Sequence, residues 1–316
     1  MDRKLAAKLD KYLTTPPEEQ GEYTMNLSTI DRPIRPAAKW HGGKWRLAKW
    51  IISFMPQKHD VYVEPFAGSA AVLLNKPRSL IEVYNDMDLQ VFNYFVILRN
   101  FPEALIRNIK LTPFHSEEWA FSWDTDDLDV ITPIENARRF YIRSFMSIMG
   151  PTATWGNGFR RQKVYSRGKS GKSSMKPAAI SFSETSHLYT IADRLRGVTF
   201  ENMDAIACMS LYDSPDTLMY IDPPYLETTR QHKLDHAYAH EMLDEGVHIS
   251  FLSQILEAAS MSLISHYKCE LYDDMLLPKG WECFEKEART NGGGKTLEAI
   301  YLNPKIISKL EKENGN

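Results

Sequence analysis

An apolar run that ends in two prolines constrains the fold of this 316-residue chain more than any other segment. Residues 218–221 (Leu-Met-Tyr-Ile) have the pattern of a buried strand, and Asp222-Pro223-Pro224-Tyr225 follows directly. Proline has no backbone N–H to donate to a sheet ladder, so the two prolines end the strand in a rigid turn. The turn therefore places an acid, two carbonyls and an aromatic ring at the carboxyl edge of a sheet.

These groups suit a planar base that carries an exocyclic amino group. The ring of Tyr225 can stack on such a base, while the Asp222 carboxylate and the Pro223 carbonyl can accept its two amino hydrogens. The alternative is an ordinary proline turn after a strand. We predict that Asp222, Pro223, Pro224 and Tyr225 are the catalytic residues.

Strand and helix patterns alternate along the chain on both sides of a long interruption, which predicts an α/β fold. The predicted elements are strands at 61–66, 80–84, 198–200, 218–221, 262–266 and 283–288, and helices at 45–54, 70–74 and 247–259. A strand–helix–strand unit implies parallel strands, so we expect a doubly wound, mostly parallel sheet.

The interruption contains an amphipathic helix around 135–149, followed by a basic stretch rich in Gly and Ser. We predict a peripheral N-terminal extension at 1–35, a sheet domain formed by 36–95 and 196–316, and an inserted recognition domain at 96–195. The peripheral extension has no assigned role.

The distribution of charge indicates a polyanion as partner, although the net charge is −3. Residues 136–183 contain ten lysines and arginines in 48 residues and no acid. Aromatic rings lie among these cations, as on surfaces that stack on bases beside phosphate contacts. The alternative is a solvated basic loop. The predicted nucleic-acid-contacting residues are Arg138, Arg139, Arg143, Trp155, Arg160, Arg161, Lys163 and Arg167.

Composition argues against several classes of protein. No apolar run approaches the roughly 20 residues that span a bilayer, and the polar start is no secretory signal. Three cysteines without metal-ligand spacing favour a reduced, cytoplasmic setting and argue against a zinc site. We therefore expect a cytoplasmic protein that uses no metal.

A second set of residues indicates a small-molecule site. The turn of small residues around Gly68 lets a ligand approach the backbone closely, and Asp86 ends the next strand, where an acid can hold ribose hydroxyls. The alternative role for Asp86 is a helix cap. Upstream, Lys44 can pair with a ligand carboxylate; a phosphate loop would need Gly-x-x-x-x-Gly-Lys-Ser/Thr spacing, which is absent. An amino-acid–nucleoside ligand such as S-adenosylmethionine suits this set better than NAD or ATP.

Taken in order, these motifs resemble the class D12 (Dam-type) adenine-N6 DNA methyltransferases. The resemblance covers roughly 36–95 and 198–305. It rests on Trp40-His41-Gly42-Gly43-Lys44, Glu64-Pro65-Phe66-Ala67-Gly68, Asn85-Asp86, Asp204 and Asp222-Pro223-Pro224-Tyr225. The segments Ile264-Ser265-His266 and Thr290-Asn291-Gly292-Gly293 through Glu298 and Asn303 resemble the later, looser motifs of the family.

The resemblance implies a sheet of the S-adenosylmethionine-dependent methyltransferase type, with a mainly helical plus hairpin insert that recognises double-stranded DNA. The implied reaction moves a methyl group from S-adenosylmethionine to the N6 amino group of a flipped-out adenine. Whether the enzyme has a cognate restriction enzyme or acts alone stays open. The implied cofactor-binding residues are Trp40, Gly43, Lys44, Glu64, Phe66, Gly68, Asp86, Asp204 and Asp222. For Asp204, which would accept from the cofactor's adenine amino group, a helix cap is the alternative.

Two features depart from the family pattern. Ala70 stands where members often have a second glycine, which tightens the expected cofactor turn. The segment 144–162 does not match the recognition segment of GATC-reading members, so no recognition sequence is carried over.

Other functions stay open at this point. An RNA adenine methyltransferase would use the same pocket, and in cytosine-N4 enzymes a serine commonly replaces the acid. A catalytically silent nucleic-acid-binding protein on the same fold would not need Lys44, Asp86 and Asp222. A small-molecule or protein amine methyltransferase would leave the basic insert unexplained.

Overall fold

The computed structural model describes residues 33–124, 131–151, 157–161, 176–229, 240–289 and 295–315. These residues form two compact units. The first unit contains residues 33–43 and Leu89–Arg196, and the second contains Lys44–Asp88 and Gly197–Asn316. The predicted insert at 96–195 lies within the first unit. Residues 36–43 and 89–95, predicted for the sheet domain, and residues 33–35, predicted for the N-terminal extension, also belong to this unit.

The second unit is built on a seven-stranded mixed sheet. Its strands are β1 (Val61–Glu64), β2 (Ile81–Asn85), β3 (Val198–Glu201), β4 (Thr217–Ile221), β5 (Met261–Tyr267), β6 (Glu282–Arg289) and β7 (Lys295–Leu302). The order across the sheet is β3-β2-β1-β4-β5-β7-β6. The first five strands in this order are parallel, whereas β7 is antiparallel to both β5 and β6.

Burial along the strands explains why the sheet is central. Every residue of β4 is buried, and so is every residue of β5 except the last. Near-continuous apolar strands are typical of a parallel sheet that is covered on both faces. The edge strand β6 instead exposes charged side chains, which discourages pairing with another chain. The predicted α/β, mostly parallel fold is confirmed.

Helices occur in both units and form most of the first unit. In the described part of the chain they are α1 (Ala48–Ile52), α2 (Leu89–Asn100), α3 (Pro102–Leu111), α4 (Ser116–Phe121), α5 (Pro133–Met146), α6 (Ala178–Ser183), α7 (His187–Leu195), α8 (Ala205–Leu211), α9 (Glu245–Glu257), α10 (Glu270–Leu276) and α11 (Pro304–Asn314). None of these described helices is long and apolar enough to cross a membrane.

The first unit is organised around α5, which begins where the Thr132 side chain accepts a hydrogen bond from the backbone N–H of Glu135. Most of its residues are buried, because α2, α3, α4 and α6 pack around it. After α5 the chain forms an antiparallel bridge between Ser147 and Phe159. Residues 152–156 lie outside the described residues, so the predicted hairpin stays a prediction.

The structure corrects one predicted element of the sheet unit. Residues 70–74 form successive hydrogen-bonded turns and not the predicted regular helix. Gly68 and Ala70 have φ angles of 46° and 53°, in the left-handed region that a right-handed helix excludes. Strand β7 was not predicted at all.

Candidate active site

The parallel strands bring the predicted site residues of the second unit to one edge of the sheet. Asp222 follows β4, Glu64 ends β1, Asp86 follows β2, and Asp204 comes three residues after β3. The carboxyl ends of parallel strands share an edge, and this edge is where doubly wound sheets bind ligands.

Lys44, Asp222 and Tyr225 form a compact cluster at this edge. Lys44 Nζ lies 3.0 Å from Asp222 Oδ1 and 4.8 Å from the centroid of the Tyr225 ring. The side chains of Lys44 and Asp222 are only 5% and 19% exposed. Burial raises the pKa of Asp222 to about 6, and the nearby ammonium of Lys44 limits that rise.

The hydroxyl end of Tyr225 is held by two residues that were not predicted as site residues. Tyr225 Oη donates a hydrogen bond to Glu298 Oε2 at 2.9 Å and lies 3.3 Å from Ser265 Oγ. Glu298 is only 7% exposed, although its strand β7 has only the outermost strand β6 beyond it in the sheet. The available sequence signal was the place of Ser265 and Glu298 in the later motifs of the family resemblance, which assigned them no role.

His266 fixes the turn that follows the Asp-Pro-Pro-Tyr segment. The backbone N–H of Leu226 donates to His266 Nε2 at 3.1 Å, so the ring proton lies on Nδ1 and points to the Tyr267 carbonyl at 2.7 Å. The imidazole also stacks on Tyr272, with ring centroids 4.2 Å apart. This histidine therefore acts as a neutral structural anchor.

Asp86 organises the small-residue turn after β1. Its Oδ2 accepts from the Gly68 N–H at 2.7 Å, and its Oδ1 accepts from the Asp88 N–H at 2.8 Å. Burial is the main cause that raises the pKa of Asp86 to about 7, and the neighbouring Asp88 adds to it. The alternative role considered for Asp86 was a helix cap. In the structure its carboxylate bonds the backbone of Gly68 and so joins the ends of β1 and β2.

Glu64 and Phe66 also support this turn. Glu64 Oε1 accepts from the Leu73 N–H at 2.6 Å and from Tyr62 Oη at 2.7 Å, and burial raises its pKa to about 8. Phe66 packs edge-on against Phe251, with ring centroids 5.7 Å apart. Both residues shape the turn, and their contact with a cofactor stays a prediction.

Asp204 caps α8. Its Oδ1 accepts from the backbone N–H groups of Ile206 and Ala207 at 2.9 and 3.1 Å. The capping alternative from the sequence is therefore present in the structure. The side chain is exposed, and its bond to a cofactor adenine stays a prediction.

Trp40 and Gly43 lie in the first unit, within a turn in which the Gly43 N–H donates to the Trp40 carbonyl at 3.3 Å. The Trp40 ring lies 6.1 Å from the ring of Phe140 on α5. The cofactor role of both residues stays a prediction.

Two of the predicted DNA-contacting arginines on α5 form ion pairs within the first unit. Arg138 Nε lies 2.7 Å from Glu135 Oε2, and Arg138 Nη1 lies 3.0 Å from Glu118 Oε2. Arg139 Nε lies 3.0 Å from Glu135 Oε1, and its guanidinium lies over the Phe121 ring. Glu135 immediately precedes the acid-free stretch and Glu118 lies further upstream. Phosphate contacts by Arg138 and Arg139 stay a prediction.

Arg143, a third predicted DNA contact, lies on the same helix. It is buried and donates to the Ser122 carbonyl and, at 2.9 Å, to Gln90 Oε1. Its guanidinium also lies 5.7 Å from the centroid of the Trp123 ring. These contacts hold Arg143 within the first unit, and its phosphate contact stays a prediction.

Arg160 and Arg161 differ from the arginines of α5. Arg160 is partly exposed and Arg161 exposed, and the guanidinium of Arg161 lies 5.3 Å from the centroid of the Phe159 ring. Arg160 and Arg35 both contribute to a lowered pKa of Lys39, about 8, for which burial is the first cause. Lys39 was not predicted. The predicted contacts Trp155, Lys163 and Arg167 lie outside the described residues.

No metal site accompanies this cluster in the residues that the structure describes. No group of three or more His, Cys, Asp or Glu side chains among them could hold an ion.

The turn at Ala70 yields a stability prediction. Ala70 is fully buried with φ 53°, where an L-residue costs about 1–2 kcal/mol. Ala70→Gly removes this strain but loses a buried methyl group, about 0.8 kcal/mol, and frees the unfolded chain by about 0.4–1 kcal/mol. We expect near-neutral stability for Ala70→Gly. Ala70→Val should lower the free energy of unfolding by at least about 2 kcal/mol, because it adds β-branching and excess volume.

Urea denaturation of the three proteins measures these differences. Ala207→Val, at an exposed position of α8 in the same unit, is the control and should cost about 0.5 kcal/mol. Equal stability of Ala70→Val and the wild type would contradict the strained turn.

Comparisons with known proteins agree with this geometry. A family model described as D12 class N6 adenine-specific DNA methyltransferase matches residues 40–290. The Type II methyltransferase M1.LlaDCHI of Lactococcus lactis subsp. cremoris is 25% identical over 287 residues, which cover 85% of this chain and 95% of that protein. The DNA adenine methylase of Haemophilus influenzae is 37% identical over 78 residues, 24% of this chain and 26% of that protein. With its family match spanning most of the sequence, this chain belongs to the D12 class of N6 adenine-specific DNA methyltransferases.

Proposed function

We propose that this chain methylates the N6 amino group of a flipped-out adenine in double-stranded DNA, with Asp222, Pro223, Pro224 and Tyr225 as its catalytic residues. The observation that carries the proposal is the largely buried Asp222 carboxylate, 3.0 Å from Lys44 Nζ, in the same turn as the anchored ring of Tyr225. A base within a duplex cannot reach such a site, so the adenine must leave the stack.

The chemistry follows from the properties of the adenine amino group. Its nitrogen is a poor nucleophile, because its lone pair is delocalised into the ring. The Asp222 carboxylate and the Pro223 carbonyl accept its two hydrogens and so favour a pyramidal nitrogen with a directed lone pair. When bound, S-adenosylmethionine would supply an electrophilic methyl group in line with this lone pair. The N–C bond would form as the S–C bond breaks, and S-adenosylhomocysteine would leave as a neutral thioether.

The charge of Asp222 also serves the step itself. Positive charge develops on the nitrogen as the new N–C bond forms, and a carboxylate held beside it stabilises that charge. The nitrogen must then lose one proton. Asp222 has a pKa of about 6, near neutral pH, which suits a group that takes up a proton and releases it again.

The residues at the strand ends fit S-adenosylmethionine. We propose that Asp86 holds the ribose hydroxyls, because its carboxylate lies at the carboxyl end of β2 and is fixed by the backbone of the turn. Gly68 has φ 46° and no side chain, so a ligand can approach the backbone of this turn closely. The Lys44 ammonium supplies a cation for the amino-acid carboxylate, and exposed Asp204 an acceptor for the adenine amino group.

Arg160 and Arg161 are the described residues that we propose as phosphate contacts. The double variant Arg160→Gln/Arg161→Gln should bind DNA more weakly, and the slope of log K against log salt concentration should flatten by about 2, because each phosphate contact contributes about 0.9. Fluorescence anisotropy of a labelled duplex between about 50 and 200 mM salt measures this slope. Arg107→Gln, at an exposed position of α3, is the matched control and should leave it unchanged.

The cellular setting is part of the proposal. Cys208, Cys269 and Cys283 are all free thiols, in agreement with a reduced, cytoplasmic compartment. Cys208 is buried, and burial raises the pKa of its thiol to about 12, so it is an inert core residue.

Transfer of label tests the function. The purified protein is incubated with radioactive S-adenosylmethionine and either unmethylated duplex DNA or structured RNA of the same length. We expect label in the DNA and none in the RNA. Label in RNA alone would move the substrate to RNA, and no label in either would favour the silent binding protein.

A further inference from the structure

The ring of Tyr225 is held more tightly than a turn residue requires. Its backbone follows two prolines, whose φ angles are restricted by the pyrrolidine ring. Its hydroxyl, at the far end of the side chain, donates to Glu298 and lies near Ser265. Two rings pack beside it, since the centroids of His266 and Tyr267 are each 4.6 Å from its own. The ring plane is therefore defined at both ends.

Glu298 is an unusual anchor for a tyrosine hydroxyl. It lies on β7 directly opposite Tyr267 of β5 and is only 7% exposed, between exposed Leu297 and fully buried Ala299. Burying an acid costs free energy unless hydrogen bonds compensate, so an apolar residue would be the stable choice for packing alone. A carboxylate that accepts a hydroxyl forms a stronger and better-oriented bond than a neutral acceptor.

A fixed ring plane matters for a flipped base. A base that leaves the duplex loses its stacking, and a ring that already presents a face at the correct angle replaces it without ordering costs. The reacting nitrogen must also arrive within a narrow range of angles beside Asp222, and a tilted platform would displace it.

We propose that Glu298 is a positioning residue for the target base, acting through the Tyr225 hydroxyl to hold the ring on which the flipped adenine stacks. Glu298 does not touch the reacting atoms. The inference rests on the proposed function, because it needs a base that stacks on Tyr225.

Four variants test the inference: Tyr225→Phe, Glu298→Ala, Glu298→Gln and the double variant Tyr225→Phe/Glu298→Ala. Tyr225→Phe keeps the stacking ring and removes only the hydroxyl. We expect Tyr225→Phe and Glu298→Ala each to lower kcat/KM for unmethylated DNA about tenfold, as expected for one hydrogen bond. Glu298→Gln keeps an acceptor and should stay within about threefold of the wild type, and the double variant within about threefold of Tyr225→Phe.

Binding of S-adenosylmethionine separates positioning from a general structural role. Its Kd, measured by calorimetry, should change less than about twofold in every variant that also keeps a cooperative thermal transition. The control is Glu282→Gln, an exposed acid on the neighbouring strand β6, which should behave as the wild type in both assays.

The outcomes are distinct. If the wild type forms N6-methyladenine and Tyr225→Phe retains full kcat/KM, the inference is wrong and the proposed function stands. If the fold losses in kcat/KM of Tyr225→Phe and Glu298→Ala multiply in the double variant, Glu298 acts without the Tyr225 hydroxyl. That result also overturns the inference. A wild type that forms no N6-methyladenine would remove both proposals.

Discussion

Asp222→Ala is expected to lower the rate of methyl transfer by about 1000-fold while the variant still binds S-adenosylmethionine. The substitution removes both the acceptor that orients the amino group and the charge that stabilises the transition state. Loss of one preorganised hydrogen-bonding group costs about 100- to 1000-fold in other enzymes. Single-turnover rates measure the chemical step, and calorimetry measures the Kd of the cofactor.

A matched control shows whether the loss depends on the position of Asp222 or follows the removal of any aspartate. Asp216→Ala removes an exposed acid that lies just before β4, at the opposite end of the strand that carries Asp222. This variant should keep the wild-type rate. Asp222→Ala with a rate within about tenfold of the wild type would rule out the assigned role, provided that both variants are folded by circular dichroism.

Lys44→Met should impair both stability and activity. Breaking a buried ion pair by removing one partner costs about 3–5 kcal/mol, and the side chains of Lys44 and Asp222 are 5% and 19% exposed. Without the Lys44 ammonium the pKa of Asp222 should rise above its present value of about 6, because that ammonium limits the rise. Less of the carboxylate is then ionised at pH 7, so methyl transfer falls.

The pKa of Asp222 sets the direction in which the free energy of unfolding changes with pH. Burial raises the pKa of Asp222 from its ordinary value of 3.8 to about 6, so ionisation is less favourable in the folded than in the unfolded protein. Its contribution to the free energy of unfolding is therefore fully present below pH 3.8 and is lost as the pH rises to about 6. In Lys44→Met this loss should extend to higher pH.

Rate–pH profiles check the prediction directly. The wild-type rate should fall below about pH 6, and in Lys44→Met the fall should begin at higher pH. Lys49→Met, an exposed lysine on α1, is the control. Superimposable profiles for Lys44→Met and the wild type would show that the ammonium does not set the ionisation of Asp222.

The central strands and the residues at their ends could be predicted from sequence, because both signals are local. The run before Asp222 is apolar over the length of a buried strand, and the two prolines mark where it stops. The ion pair between Lys44 and Asp222 joins residues far apart in the chain, and no pattern in either segment announces it. The bond between Asp86 and Gly68 is of the same kind.

Some features of the structure depend on partners or backbone conformations that lie outside the sequence pattern. The acid-free stretch did not indicate the ion pairs of Arg138 on α5, because its partners Glu135 and Glu118 lie outside that stretch. The predicted helix at 70–74 failed because Ala70 adopts a left-handed φ that its side chain disfavours. Propensity alone could not reveal this conformation, since the surrounding turn imposes it.

The identity of the modified base tests the central claim most directly. Unmethylated duplex DNA is incubated with the protein and S-adenosylmethionine, digested to nucleosides and analysed by mass spectrometry against synthetic standards. The proposed roles of Asp222 and Tyr225 predict N6-methyldeoxyadenosine as the methylated product, absent when Asp222→Ala replaces the wild type. N4-methyldeoxycytidine as the product, or DNA without any methylated nucleoside, would contradict the proposed function.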